Sequence, residues 1–358
     1  MKPKANLLIV QKIQFGYLVD SYKWCQYLKD DYNITLICFD EGHKRVPLDG
    51  VQVRYVSGSS SLYVIRGLKF LLIVFFYLLK RGIVIIEYFE HCDLLKRLFP
   101  FRKMILDVRT VTVCGEKKER EAKDKEIEQA CKLYDIVSVI SEGVRCHLKL
   151  GSDAYLLPLG ADIISSSVKV IDDLRLLYVG TFAGRDIDKT IRAVSCFHRN
   201  HPTTRIRYDI IGDGLHNELQ EYRDLVKTFG IDDIVILYGR IPNNELKPYF
   251  DKANIGVSFV PMTDYYDIQP PTKTFEYTLS GLYTIATKTS ENVAVITPDC
   301  GYLIEDTEVD FVKALEYILK NRTRIDPTAV RRAMLDYQWN TILRSHLSRI
   351  IDDYNSNN

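Results

Sequence analysis

The sequence predicts an α/β protein built as two Rossmann-like units, and three observations carry that prediction. Short β-rich runs alternate with amphipathic stretches from one end of the chain to the other, the pattern of parallel sheets covered by helices. The alternation starts afresh at Leu174, after a segment (Ser165, Ser166, Ser167, Asp172 and Asp173) with the polar character of a linker. At 358 residues the chain is also longer than a single hydrophobic core usually serves. The boundary is expected near residues 165 and 166.

In the first half the expected strands are Ala5–Val10, Ile34–Phe39, Val51–Val56, Ile83–Tyr88, Met104–Val108, Ile136–Ile140 and Ala154–Leu157. Helical periodicity fills the gaps at Tyr17–Lys29, Leu62–Lys80, Glu116–Leu133 and Glu142–Leu150. The second half repeats the scheme with strands at Leu174–Val179, Ile206–Ile211, Ile234–Leu237, Ile255–Phe259 and Tyr283–Ala286. Its helices are Lys189–Arg199, His216–Phe229, Lys273–Leu279 and Asp310–Leu319. Pro327–Tyr337 and Trp339–Tyr354 follow with no strand between them and are read as surface helices.

Composition excludes several classes. Apolar residues make up 46% and charged ones 27%, too rich a core for a disordered chain. A net charge of +1 recruits no nucleic acid. Locally, however, Arg66, Lys69, Lys80, Arg81, Lys96, Arg97, Arg102 and Lys103 face only Glu87, Glu90 and Asp93. The eight cysteines include no C-x-x-C pair and no spacing for a four-ligand metal site, so they read as reduced thiols of a cytosolic protein. The amino terminus lacks the order of a signal peptide. The longest apolar run, Phe70–Leu79, is about half of what a bilayer crossing requires.

Parallel sheets hold ligands beyond the carboxyl ends of their strands. After Leu174–Val179 comes Gly180-Thr181-Phe182-Ala183-Gly184-Arg185 and then a helix. Glycines let the backbone approach a ligand, the helix start offers N–H groups, and Arg185 suits phosphate oxygens; a plain strand-to-helix turn with a solvated Arg fits the same residues. Ile210-Ile211-Gly212-Asp213-Gly214 repeats the tight turn one unit later and by itself says only α/β. The third feature is Pro270-Pro271-Thr272-Lys273-Thr274-Phe275-Glu276. Prolines open the helix, the N–H groups at Thr272 to Thr274 can take an anion, and Lys273 and Glu276 share a face. A cation and a carboxylate so placed suit a sugar diphosphate, although an intrahelical salt bridge fits the spacing equally well.

In this order, together with Leu237-Tyr238-Gly239-Arg240-Ile241-Pro242 and Tyr337-Gln338-Trp339, these motifs resemble the retaining glycosyltransferases of family four. The likeness is weaker in the first half, at 133–143 and at Leu157-Pro158-Leu159-Gly160-Ala161-Asp162. The resemblance implies the GT-B architecture: two facing Rossmann-like domains with an interdomain cleft and a C-terminal helix crossing back. The domains would be 1–165 with 340–358, holding the acceptor, and 166–339, holding a nucleotide-sugar donor. It further implies Glu276 on the donor ribose, and Arg185, one place early relative to the family's Lys, with Lys273 on the diphosphate. Gly180, Thr181, Gly212, Gly214, Pro271, Thr272 and Thr274 would complete the donor site, with the Gly239, Arg240 and Ile241 backbone beside the base. Three places depart from the family pattern: Thr181 stands where the family often has an Arg; Ile268 stands where many members have a Glu, so that either Asp264 or Asp267 substitutes or the loop binds the sugar differently; and the paired glycines after the first strand are reduced to Gly16.

The implied reaction is sugar transfer to a hydroxyl with retention, by front-face attack with the leaving phosphate assisting deprotonation. No cofactor or metal is expected, and no Ser-His-Asp arrangement or metal triad is legible. Acceptor-side candidates are Gly16, Glu90, His91, Asp107 and Arg109, at or beyond first-half strand ends. The expected partners are the donor and a glycan or lipid-linked acceptor, in surface polysaccharide or lipid-linked glycan biosynthesis. The stretch Leu62–Lys80 reads as a core helix or as a peripheral contact with anionic lipid at the inner membrane face. Two other functions share the architecture: a nucleotide-sugar 2-epimerase, and a non-catalytic nucleotide- or glycan-binding partner, which the departures at Thr181 and Ile268 favour.

Overall fold

Strands that are aliphatic on both faces need cover on both sides, and Leu7–Val10 and Ile83–Ile86 are buried throughout, as a parallel sheet between helix layers demands. The computed structural model describes residues 4–57, 63–113 and 116–356, so Leu62 and Cys114 lie outside the described residues. The first sheet contains β1 (Ala5–Val10), β2 (Tyr32–Asp40), β3 (Val51–Ser57), β4 (Ile83–Glu87), β5 (Ile105–Val108), β6 (Ile136–Val139) and β7 (Tyr155–Leu156). All pairings are parallel, in the order β3-β2-β1-β4-β5-β6-β7. The second contains β8 (Leu174–Val179), β9 (Ile206–Ile211), β10 (Val235–Gly239), β11 (Ile255–Ser258), β12 (Tyr283–Thr287) and β13 (Gly301–Ile304). It too is parallel, in the order β10-β9-β8-β11-β12-β13. Both are doubly wound sheets, whose switch points fall between β1 and β4 and between β8 and β11.

The chain forms two units, one running to Leu159 and resuming at Trp339, the other Gly160–Gln338. The segment read as a linker lies inside the second unit. Ser165 is buried and donates to Asp251 at 2.7 Å, while the buried Lys169 ammonium donates to Ser167 Oγ at 2.8 Å, to the Asp251 carbonyl at 3.1 Å and to that of Phe250. Ser165 and Ser167 are polar because a buried cation needs acceptors, while Ser166 between them is exposed.

The stretch from Trp339, read as a surface helix, is instead an integral part of the first unit. Trp339, Ile342, Leu343, Leu347, Ile350, Ile351 and Tyr354 are buried. The Tyr354 hydroxyl donates to the carbonyls of Lys103 at 2.9 Å and Gly82 at 3.1 Å, and Tyr155 donates to Asp353 at 2.6 Å. β13 and the short helices Asp93–Leu98, Lys247–Lys252 and Ser290–Val295 were not legible as elements in the sequence.

Candidate functional site

Three turns lie side by side at the carboxyl ends of β8, β9 and β10. Gly180 N–H donates to Ile211 O at 3.0 Å, Phe182 N–H to Asp213 O at 2.9 Å, and Gly212 N–H to Gly239 O at 2.9 Å. Gly212 has to be glycine: a Cβ there would run into the Gly180 carbonyl oxygen. Gly239 turns with φ +75°, which again favours glycine. Gly214 behaves differently. Its N–H donates to the Asp213 carboxylate at 2.9 Å, and the Glu218 carboxylate occupies the space beside its Cα. Two anions there close the start of the helix Glu218–Phe229 and oppose a phosphate at Gly214, contrary to the expectation for that residue.

Two cations stand over these turns, each on an aromatic ring. The Arg185 guanidinium lies 4.0 Å from the Tyr266 ring centre, and Lys273 Nζ lies 4.0 Å from that of Tyr178. Arg185 Nε and Nη1 are buried and have no hydrogen-bond partner among the described residues. Native proteins rarely leave such donors unused unless a ligand or water takes them. Lys273 Nζ sits beside Gly180, 3.0 Å from where a Cβ on that glycine would be. Burial lowers its pKa well below the usual lysine value, the Arg185 charge lowers it further, and Glu276 pulls the other way. Two basic side chains thus share one site, and burial beside Arg185 shifts Lys273 toward its neutral form until an anion arrives to favour the ammonium.

The helix Thr272–Leu279 starts on Pro271 without a side-chain cap. Its first amides, at Thr272 and Lys273, precede any intrahelical acceptor. Thr274 departs from expectation: its N–H donates to Pro271 O at 3.0 Å, and its buried hydroxyl bonds Ser258 Oγ at 2.6 Å and Asn292 Oδ1 at 2.8 Å. It anchors the helix and offers nothing to a ligand. Tyr277 fixes the same helix from below, its hydroxyl accepting from Val179 N–H at 2.8 Å and its ring filling the space that a Cβ at Gly256 would need. Glu276 is half-buried on the next turn. Of the candidates to replace the missing Glu, Asp267 is engaged by Ser290, accepting from its N–H at 2.8 Å and its hydroxyl at 2.6 Å, whereas Asp264 is exposed. Thr181 and Arg240 are exposed, and Ile241 packs on a core that includes Leu177, Ile211 and Tyr277. The sequence named the cations but missed Tyr178 and Tyr266, which position them.

In the first unit the corresponding edge is arranged differently. Gly16, with φ +91°, makes room for the Val46 side chain, so its glycine has a packing reason. Glu90 and His91 follow β4 and are exposed. Arg109 is buried: it pairs with Asp20, faces Asp107 at 3.7 Å and donates to Leu157 O at 2.5 Å. Its charge is needed there because three carboxylates converge on it. Burial raises the Asp107 pKa to about 6 even though Ser138 donates to it at 2.5 Å. Burial, then the charges of Asp107 and Asp20, raise Glu87 well above the usual range. Asp107 and Arg109 are thus interior groups, and the only sequence sign of Glu87 was a lone acid ending an aliphatic strand.

The basic surplus around the helix Tyr63–Leu78 is also partly structural. Lys96 is buried and donates to Asp135 at 2.7 Å, Arg102 donates to Gly82 O at 2.7 Å, and Lys103 donates to the Asp353 carbonyl at 3.1 Å. Among the described residues no group of three or more His, Cys, Asp or Glu is placed to hold a metal ion. No helix there is long and apolar enough to cross a membrane.

Neither a protein-family model nor a curated protein matches the sequence. Solved structures do. A sucrose-phosphate synthase from Thermosynechococcus elongatus is 15% identical with a TM-score of 0.78, the match covering 99% of this chain and 100% of that one. The lipopolysaccharide outer core galactosyltransferase WaaB is 13% identical with a TM-score of 0.70, over 97% and 99% of the two chains. Anabaena HepE in complex with UDP is 11% identical with a TM-score of 0.73, over 97% and 100%. At these identities the likeness is one of fold alone: two parallel-sheet α/β units of Rossmann-like topology, as in those structures.

Proposed function

We propose that this protein is a glycosyltransferase that takes a sugar from a nucleotide-diphosphate donor held by the second unit and passes it to a hydroxyl acceptor held by the first. One observation carries the reading: Arg185, whose buried Nε and Nη1 have no partner among the described residues, and Lys273, with a depressed pKa, stand together beside an uncapped helix start and a glycine-lined strand end. That constellation suits an anion beyond the neighbouring Glu276, and a diphosphate at the β8/β11 switch point supplies one. The crystal forms of HepE with UDP and with UDP-glucose favour the same class of ligand.

In the reaction, the acceptor hydroxyl attacks the anomeric carbon on the face from which the diphosphate departs. The new C–O bond forms as the bond to the diphosphate oxygen breaks, and the hydroxyl proton passes to a leaving-group oxygen, so configuration is retained. Arg185, Lys273 and the amides of Thr272 and Lys273 stabilise the charge that develops on the diphosphate. Glu276 accepts hydrogen bonds from the ribose hydroxyls. The work requires no protein nucleophile, cofactor or bound metal. We place it in surface polysaccharide or lipid-linked glycan synthesis, in the cytoplasm or at the inner membrane face. Ile268 and Thr181 favour a second reading, a partner that binds nucleotide without turnover.

A thermal-shift screen of nucleoside diphosphates tests the donor site, because a ligand at a hundred times its Kd stabilises the native state by about 2.7 kcal/mol. Glu276→Ala is expected to cost about 1.5–3 kcal/mol of that binding. Equal affinity in the variant removes Glu276 from the site. Nucleotide binding without product from any acceptor favours the second reading.

A further inference from the structure

The switch point of the first sheet, between β1 and β4, opens into an apolar groove of about 370 Å³. Its walls include Phe39, Leu68, Phe89 and Leu94, and Lys12, Arg66, Glu90 and His91 line it as well. The two cations lie on aromatic rings, Lys12 Nζ 5.5 Å from the centre of Phe89 and the Arg66 guanidinium 4.2 Å from that of Phe39. Arg66 donates to Asp40 O at 3.1 Å through Nη2, but its Nε is buried with no partner among the described residues. The helix that supplies Arg66, Leu68, Phe70 and Leu71 to the groove also carries an uncovered apolar surface. The helix Tyr63–Leu78 buries Phe70, Val74 and Leu78, yet Leu68, Leu72, Phe76 and the adjoining Leu79 each remain more than half exposed. The ring contact of Phe75 with Phe99, 4.9 Å between centres, joins this face to the segment bearing the exposed Leu98 and Phe101. A helix apolar on all sides is normally buried on all sides.

We infer that this groove takes the apolar chain of an amphiphilic acceptor whose phosphate headgroup meets Lys12 and Arg66, with the exposed face of the helix resting on the lipid surface from which that acceptor comes. The charge pattern selects this occupant. Two cations against one carboxylate, Glu90, line an otherwise largely apolar groove, Arg66 Nε has no partner among the described residues, and Lys69, Lys80 and Arg81 flank the exposed stripe. The inference rests on the first unit being the acceptor side, and it names the acceptor class as a lipid phosphate.

Gly67 provides a clean test, since a Cβ there would meet nothing within 4 Å and a helix interior tolerates the loss of a glycine. Titration of the full chain with farnesyl phosphate should show saturable binding that Gly67→Trp weakens about tenfold or more by filling the groove, with the melting temperature unchanged. Lys12→Gln and Arg66→Gln should each weaken farnesyl phosphate about tenfold while changing farnesol less than about twofold. Saturable binding that ignores Gly67→Trp overturns the proposal, as does the absence of binding to the wild type. A dimer that Phe76→Glu dissociates, with no lipid bound, overturns it in favour of a second copy of this chain. Nucleotide stabilisation measured on the same samples separates the two readings. Its survival when lipid binding fails sinks the groove alone, and its absence when lipid binding holds sinks the donor site alone.

Discussion

The two sheets share one strand order but finish their carboxyl edges in opposite ways. At the end of β5 in the first unit, Arg109 is enclosed by Asp20, Glu87 and Asp107, so its charge is spent inside the protein. Beyond β8 in the second unit, Arg185 has a lysine as its charged neighbour, and its buried Nε and Nη1 have no partner among the described residues, whereas Arg109, whose Nε is also without a hydrogen bond, has Asp107 and Asp20 beside it. Residue type and position after a strand are alike in the two cases. What differs is whether nearby acids complete the cation, and that decides between a support and a binding group.

The contrast can be broken most severely at the chain's return to the first unit. Deleting residues 339–358 removes seven buried apolar side chains, each worth roughly 1.5–3 kcal/mol, a total comparable with the stability of a whole domain. Limited proteolysis should then digest the first unit and spare a fragment near Gly160–Gln338. A full-length melting profile in the truncated protein would refute this.

Next in size is the exchange of the two arginines' fates. Arg109→Met strands three buried acids and should cost about 3–5 kcal/mol. Arg185→Ala should move stability by less than about 0.5 kcal/mol while abolishing stabilisation by a nucleoside diphosphate. Equal losses of stability in the two variants would erase the distinction drawn between the edges. The acids also set a pH signature. Asp107 titrates near 6 in the folded state against 3.8 ordinarily, so the native chain keeps the extra proton, and the first unit's stability should fall as pH rises through that window. Denaturant melts of Asp107→Asn should show a shallower slope, the remainder coming from Glu87, which is also raised.

A smaller effect of opposite sign is expected at Lys273. Its folded pKa lies below the unfolded value, so the unfolded chain binds more protons between the two, and wild-type stability rises with pH across that range. Lys273→Met should stabilise the unliganded protein by about 1–3 kcal/mol and weaken nucleotide binding. A variant that melts lower without ligand would show that the lysine is not carrying a desolvation cost. Smallest of all is the effect of a chelator, which should leave transfer unchanged. Loss of activity, restored by magnesium or manganese, would contradict the two-cation account of the diphosphate.

Legibility in the sequence followed the physics of each feature. Long aliphatic strands announced themselves, β1, β8 and β9 to the residue, because burial on both faces leaves little choice of side chain. β13 has only four residues, Gly-Tyr-Leu-Ile, which no periodicity distinguishes from a loop. Arg185 and Lys273 were visible as cations at strand and helix ends, but Tyr266 and Tyr178 were not, since ring and cation meet only when distant segments are folded together. Arg109 looked like Arg185 until Asp20, 89 positions earlier, closed over it. The serines before Lys169 misled for the same reason: polarity in sequence does not say whether the partner is water or a buried ammonium.

The first unit's return to Trp339 has a consequence for synthesis of the chain. A ribosome delivers residues up to Leu159 first, yet the bonds that Lys103 and Tyr155 make to Asp353 and Tyr354 form only once those residues have emerged. Gly160–Gln338 is contiguous and can close earlier. The part made first is therefore finished last, and in the interval its sheet presents an unsealed apolar seam to the cell, a period in which chaperone capture or aggregation competes with completion.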